Sequence, residues 1–213
     1  NEYHFGTVWE HTMMVLEGTK DDNMILRISA LLHDIGKIRV CTEEDGKIHF
    51  LKHELKSGEM IDELLRPLKF SNEIIKEVTF LVRNHMICKT WGSECEYMKD
   101  KKLRRLQYEC KTEERFRNLM TIIDADNNAY AADKCMPKQV EFILSRTEAM
   151  KAEGSAMFGY KLPLTGKEIM DLKGIKPGSA VKECLDYLMK IAFVKKKKKK
   201  EEFVKHLLGY RLQ

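Results

Sequence analysis

Apolar residues recur at the spacing of amphipathic helices along most of the chain, and this constrains the fold more than any other feature. The spacing, with its capping and breaking residues, predicts a series of helices: Val8–Leu16, Leu26–Leu32, His53–Leu65, a helix capped by Ser71, Lys101–Tyr108, Thr112–Ala131, Lys138–Ala152, Gly166–Leu172, Ser179–Ile191 and Glu201–Leu208. Only "IRVCTEEDGKIHF" has a hairpin pattern, with Asp45-Gly46 at its turn. The sequence therefore predicts an all-α fold, a helical bundle with one short β-hairpin and a small helical C-terminal tail.

Composition narrows the class of protein. Apolar residues make up 43% and charged residues 33% of the 213 positions, which is typical of a globular domain and not of a disordered chain. Neither a long apolar span nor a secretory signal is present in the sequence. The six cysteines are scattered without a C-x-x-C pair, which favours reduced thiols in the cytoplasm over disulfides or a thiolate zinc site. A cytoplasmic protein with no membrane partner is expected, and its first residue, Asn1, suggests a fragment.

Basic residues cluster in two runs, "KDKKLRR" at 99–105 and "KKKKKK" at 195–200, within a net charge of +5. Such runs are usually solvated faces or mobile segments, but they also suit a polyanionic partner such as a nucleic acid. Arg104 and Arg105 are the candidates in the first run. In "KGIKPG", Lys173 and Lys176 precede a predicted helix start, where free N–H groups could hold a phosphate. An ordinary helical hairpin is the alternative there.

The stretch "LRISALLHDIGKI" places His33 and Asp34 side by side at the end of an apolar helix, followed by Gly36 and Lys37. A buried histidine or carboxylate needs a partner, so the pair either faces solvent or belongs to a site completed elsewhere. Further histidines and acids lie at the ends or on the inward faces of other predicted helices: His11, His53, His85, Asp124 and Asp126.

Imidazole nitrogen and carboxylate oxygen together suit a divalent transition metal such as iron, manganese, nickel, cobalt or zinc. Two such ions could bind if His53 and His85 take part, and a metal pair activates water while neutralising phosphate charge. Lys37 and Arg83 would then bind phosphate oxygens. Each residue alone also has an ordinary interpretation, as a hydrogen-bonded core histidine, a helix-end histidine or a solvent-facing acid. That interpretation is preferred outright for three other histidines: His4, His49 and His206.

The order H…HD…H…H…D, with "HDIGK" in it, resembles the HD superfamily of metal-dependent phosphohydrolases. More closely, "YHFGTVWEHTMMVL", "HFLKHELKSGEMIDELL" and "LVRNHM" resemble the HD region of bacterial CCA-adding enzymes and poly(A) polymerase-like nucleotidyltransferases. The tail "LPLTGKEIMDLKGIKPGSAVKECLDYL" is similar to the last segment of those enzymes, so the resemblance runs from about Tyr3 to Tyr187. Their nucleotidyltransferase head, with a glycine-rich turn and paired aspartates, has no counterpart in this sequence. The chain is therefore expected to stand alone or to be the C-terminal part of a longer enzyme.

The resemblance implies roles for these residues. It makes four of them the ligands of one ion, His11, His33, Asp34 and Asp126. It matches His53 and His85 to a second ion, favours Asp126 over Asp124, and makes His33, Asp34 and Lys37 the catalytic group.

It also implies an HD domain over residues 1–150, a tail over 151–213, and hydrolysis of a nucleotide, a 2′,3′-cyclic phosphate or an RNA phosphate end. The alternative is a non-catalytic helical module that supports tRNA for a nucleotidyltransferase head.

Overall fold

The computed structural model describes residues 7–19, 23–130, 135–194 and 199–212. Helices dominate these residues, and the predicted all-α fold with one hairpin is confirmed. The elements are α1 (Val8–Gly18), α2 (Met24–Leu32), α3 (Lys37–Val40), β1 (Thr42–Glu44), β2 (Lys47–His49), α4 (His53–Leu65), α5 (Asn72–Asn84), a 3₁₀ turn (Lys89–Trp91), α6 (Asp100–Cys110), α7 (Glu113–Asn128), α8 (Gln139–Ala152), α9 (Gly166–Lys173), α10 (Ser179–Val194) and α11 (Lys200–Gly209).

Local sequence signals fix several helix starts. The Thr7 hydroxyl accepts from the Glu10 amide while the Glu10 carboxylate accepts from the Thr7 amide, which is a capping box at the start of α1. Thr165 and Glu168 form the same box at α9. Asn23 caps α2 through its side-chain oxygen. These caps fix the residues at which the three helices begin.

The hairpin has the turn that its sequence predicts. Strands β1 and β2 are antiparallel, with Thr42 opposite His49 and Glu44 opposite Lys47. Asp45 and Gly46 both have positive φ, 52° and 72°, as a two-residue type I′ turn requires.

The chain forms two compact units, residues 1–97 with 114–144 and residues 98–113 with 145–213. In the first unit α4 packs on α5, α5 on α2, and α2 on α1, while the short α3 packs on α4. Its apolar core includes Ile61, Leu65, Val78 and Val82, all at most 3% exposed. The packing of these helices brings the ends of α2 and α5 and the start of α4 to one place.

The second unit has its own core. Helix α10 packs on α6, α9 and α11, and the buried residues include Ile169, Leu188, Phe203 and Leu207. The predicted boundary lies near residue 150. In the structure the second unit also includes residues 145–150 and residues 98–113, and α6 of the latter range packs on α10. Among the residues described, the helices are all too short or too polar to cross a membrane.

Candidate metal centre

Six residues from five helices of the first unit converge on one buried place. His11 lies in α1, His33 and Asp34 follow the last residue of α2, and Asp126 lies near the end of α7. His53 is the first residue of α4 and His85 directly follows α5. The most accessible of the six is His53, at 7% exposed. The structure thus brings together side chains that lie far apart in the sequence.

The first group of possible ligand atoms is formed by His11 and His33 with an oxygen from each of two aspartates. Their Nε2 atoms are 3.3 Å apart. Asp34 Oδ2 lies 3.6 Å from His11 Nε2 and 3.2 Å from His33 Nε2. Asp126 Oδ1 lies 3.1 Å and 3.9 Å from the same two nitrogens. His11 Nε2, His33 Nε2 and Asp34 Oδ2 therefore lie at separations that suit ligands of a single cation, and Asp126 Oδ1 lies beside the two nitrogens.

A second group shares Asp34. Its Oδ1 atom lies 3.1 Å from His53 Nε2 and 3.9 Å from His85 Nε2, and these two nitrogens are 3.3 Å apart. Asp34 thus points one oxygen at each pair of histidines. This placement requires a residue just beyond the helix end, where the backbone turns and adjacent side chains can approach one region.

The backbone sets the tautomers of these histidines. In each ring Nδ1 faces a backbone carbonyl: that of Ala129 for His11, at 3.2 Å, and that of Ala30 for His33, at 2.7 Å. His53 and His85 do the same at 3.0 and 2.7 Å. A neutral ring that donates from Nδ1 keeps its lone pair on Nε2.

Two such lone pairs facing each other at 3.3 Å repel unless a cation or proton lies between them. The donor set therefore fits a divalent transition metal.

Charge and burial act together on the pKa values of this cluster. Burial would lower the pKa of His33, but the charge of Asp34 outweighs it and raises the pKa. Burial would likewise raise the pKa of Asp34, but the charge and hydrogen bond of His33, the hydrogen bond of His53 and the charge of Lys37 hold that pKa well below its usual range. The pKa of Asp126 is lowered too, because the positive charge of the Lys89 ammonium outweighs the effect of burial. Burial and the charge of His33 lower the pKa of His85 to about 3, which keeps that ring neutral.

Each of the two carboxylates, Asp34 and Asp126, has its own lysine partner. Lys37, predicted from the sequence, is 4% exposed, and its Nζ donates to Asp34 Oδ2 at 2.6 Å. Lys89 was not predicted, and its Nζ lies 3.0 Å from Asp126 Oδ2. The available signal was its position four residues after His85, in "NHMICK".

Gly36 lets the turn after α2 approach α4. A Cβ atom at this position would lie 2.4 Å from the Ser57 amide nitrogen and 2.5 Å from the His53 carbonyl oxygen. In the native contact the Gly36 amide donates to the Ser57 hydroxyl at 2.8 Å. The glycine of "HDIGK" therefore holds Asp34 beside the histidine that opens α4.

Two predicted residues of the first unit lie outside the cluster. Arg83 is exposed, its methylene groups lie over Gly58, and it lines a separate groove between α4 and α5 of about 520 Å³. Asp124 is half-buried, and burial raises its pKa. Of the two candidates for the last metal ligand, Asp126 contacts the histidines and Asp124 does not.

The predicted nucleic-acid contacts of the second unit differ in accessibility. Arg105 is exposed and pairs with Glu109, and Lys176 is exposed. Lys173 donates to the Tyr210 carbonyl at 2.8 Å. The Arg104 side chain is inside the unit and donates to the Phe193 carbonyl at 3.0 Å, which does not favour the predicted nucleic-acid contact there. Of the lysine run, positions 195–198 lie outside the described residues, as does His4, and Lys200 pairs with Glu168.

The two adjacent arginines give a stability prediction. Arg104→Met is expected to lower the free energy of unfolding by about 1–3 kcal/mol, because it leaves a buried carbonyl without its donor. Arg105→Met, at an exposed ion pair, is expected to change it by less than about 0.5 kcal/mol. Urea denaturation of both variants measures the difference, and equal effects would contradict the placement of Arg104.

Comparison with known proteins agrees with this geometry. The family model of the HD domain matches residues 1–127, and the chain belongs to that family. HD domains form a superfamily of metal-dependent phosphohydrolases that bind divalent metals, and this chain has two His/Asp groups that could hold such an ion.

Two curated relatives have a tRNA function in their names. The chain is 26% identical over 190 residues to the A-adding tRNA nucleotidyltransferase of Deinococcus radiodurans, covering 86% of this chain and 42% of that protein. It is 25% identical over 218 residues to the CC-adding tRNA nucleotidyltransferase of Thermus thermophilus, covering 98% of this chain and 46% of that protein. The chain therefore spans less than half the length of these relatives.

Proposed function

We propose that this protein is a metal-dependent phosphohydrolase that acts on a nucleotide, a 2′,3′-cyclic phosphate or the phosphate end of an RNA. The observation that carries the proposal is the convergence of four buried histidine Nε2 atoms on the two oxygens of Asp34. Membership of the HD family supports the reaction class, and the relatives support an RNA-related substrate.

His11, His33, Asp34 and Asp126 would hold one ion, and Asp34 with His53 and His85 a second. Iron, manganese, nickel, cobalt and zinc all suit this mixture of nitrogen and oxygen donors. When bound, such an ion supplies Lewis acidity, which makes water nucleophilic near neutral pH and offsets the charge of a phosphate.

The chain's own residues would prepare the site for a phosphate. The backbone carbonyls hold the imidazole rings in the Nδ1–H form, so no rearrangement is needed to offer Nε2. Lys37 brings a positive charge beside Asp34, where it could bind a phosphate oxygen. Arg83 is not included, since it lines a different groove.

A hydrolysis assay tests the proposal. The protein is stripped with a chelator and reloaded with each metal in turn. It is then given p-nitrophenyl phosphate, bis(p-nitrophenyl) phosphate and 2′,3′-cyclic AMP. We expect turnover with at least one metal, and a fall of more than about 100-fold in Asp34→Asn, which loses the negative charge that faces both pairs of histidines. Asp62→Asn, at an exposed ion pair on α4, is the matched control and should retain activity. Equal turnover by Asp34→Asn and wild type would reject the hypothesis.

A second function has separate support in the names of the two relatives. Here we propose a non-catalytic helical module of the cytoplasm that supports tRNA for a nucleotidyltransferase head, on the same longer chain or on another. Exposed cations such as Lys176 and Arg105 favour it. It predicts tRNA binding that weakens steeply with salt, without hydrolysis. Absence of binding at low salt would contradict it.

A further inference from the structure

Lys89 pairs with Oδ2 of Asp126, the carboxylate oxygen that does not face the histidines. Its ammonium group lies 3.0 Å from Asp126 Oδ2, while Oδ1 faces His11 and His33. The contact is an ion pair that is not aligned as a hydrogen bond, so charge attraction holds the two groups together. The side chain of Lys89 is 16% exposed and that of Asp126 is 2% exposed, so solvent screens the pair weakly.

Buried amides fix Lys89 in this position. Its Nζ donates to Asn127 Oδ1 at 2.9 Å, and Asn127 Nδ2 donates to Gln139 Oε1 at 3.0 Å. Gln139 Nε2 donates to the carbonyls of Cys88 and Gly92, which flank the 3₁₀ turn that carries Lys89. Asn127 and Gln139 are both fully buried. The network therefore ties the end of α7 and the start of α8 to the turn on both sides of Lys89.

An aromatic ring completes the lysine's surroundings. The Lys89 ammonium lies 4.3 Å from the centroid of the Tyr130 ring, and that ring lies 5.3 Å from the ring of His11. A cation over an aromatic face is attracted by the ring's charge distribution. Lys89 is thus held from one side by amides and from another by Tyr130, and its charge remains directed at one carboxylate oxygen.

We propose that Lys89 is a positioning residue that reserves Asp126 Oδ2, so that Asp126 offers only Oδ1 to an ion held by His11 and His33. This inference rests on the proposed metal centre. A carboxylate that chelates with both oxygens occupies two coordination positions, whereas one that binds through a single oxygen occupies one. Catalytic metal sites need an open position for water or substrate. Lys89 therefore determines how many positions the protein leaves open.

The test compares Mn²⁺ complexes of wild type, Lys89→Met and Lys89→Arg, each as the full chain. Crystal structures with anomalous scattering from manganese give the number of Asp126 oxygens bound to the ion. Titration calorimetry gives the affinity. We expect one bound oxygen in wild type and in Lys89→Arg, and two in Lys89→Met. The Mn²⁺ affinity of Lys89→Met should equal that of wild type or exceed it by up to about tenfold, because a positive charge that repels the ion is removed. If Lys89→Met does not fold, Lys89→Gln provides the same neutral replacement.

The same oxygen count in wild type and the neutral variant would overturn the inference. A folded neutral variant that no longer binds Mn²⁺ would also overturn it, since Lys89 would then be needed for the ion itself. Failure of the proposed function gives a different result, because wild type would then hold no Mn²⁺ at His11 and His33. Lys56→Met, at an exposed ion pair with Glu59, is the matched control for loss of a lysine and should equal wild type in both measurements.

Discussion

Asp126→Asn is expected to lower the affinity for the metal by more than about 100-fold, whereas Asp124→Asn should leave it unchanged. The two acids are separated by a single residue on α7, yet only Asp126 contacts His11 and His33. Asparagine has nearly the same shape as aspartate but lacks the charge that attracts a cation. Since loss of a supporting hydrogen bond alone typically costs a metal site 10- to 100-fold in affinity, loss of a direct ligand should cost more.

Elemental analysis of the purified proteins and titration calorimetry with Mn²⁺ measure this difference. Circular dichroism shows whether each variant is folded, which matters because Asp126→Asn leaves Lys89 without its ionised partner. Equal metal content in both folded variants would remove Asp126 from the set of ligands. Loss of metal from Asp124→Asn alone would assign the role to the other acid.

The sequence allowed most of the fold and much of the centre to be predicted. Helical spacing located the longer helices but not the short α3, and Asp45-Gly46 located the hairpin, because both signals act between neighbouring residues. The adjacent His33 and Asp34 were unusual enough in an apolar segment to indicate a site. Their convergence with His11, His53 and His85 depends on packing between helices, so only the resemblance to a known family connected them in advance.

The remaining features depend on contacts that spacing does not determine. Arg104 and Arg105 are adjacent in a basic run, and only the packing of α10 on α6 buries the first of them. Lys89 lies in a short turn with no helical period, so its contact with Asp126 depends on the amides that fix that turn. Apart from its position four residues after His85, Lys89 cannot be distinguished from a surface lysine in the sequence.

Gly36→Ala is expected to lower the free energy of unfolding by about 2–3 kcal/mol and to reduce metal binding in the protein that still folds. The new Cβ atom would lie 2.4 Å from the Ser57 amide nitrogen and 2.5 Å from the His53 carbonyl oxygen. Both are backbone atoms of α4, so a rotamer change would not relieve the contact. The turn after α2 and the start of α4 must therefore move apart.

That movement would separate the two halves of the centre, since the turn carries Asp34 and the first residue of α4 is His53. Gly209→Ala is the matched control, because a Cβ atom there meets no atom within 4 Å, and its effect should be below about 0.5 kcal/mol. Urea denaturation measures stability, and calorimetry with Mn²⁺ measures binding. A Gly36→Ala protein as stable as Gly209→Ala would contradict the close approach of α4. A destabilised protein with undiminished metal affinity would instead show that the spacing of Asp34 and His53 does not limit binding.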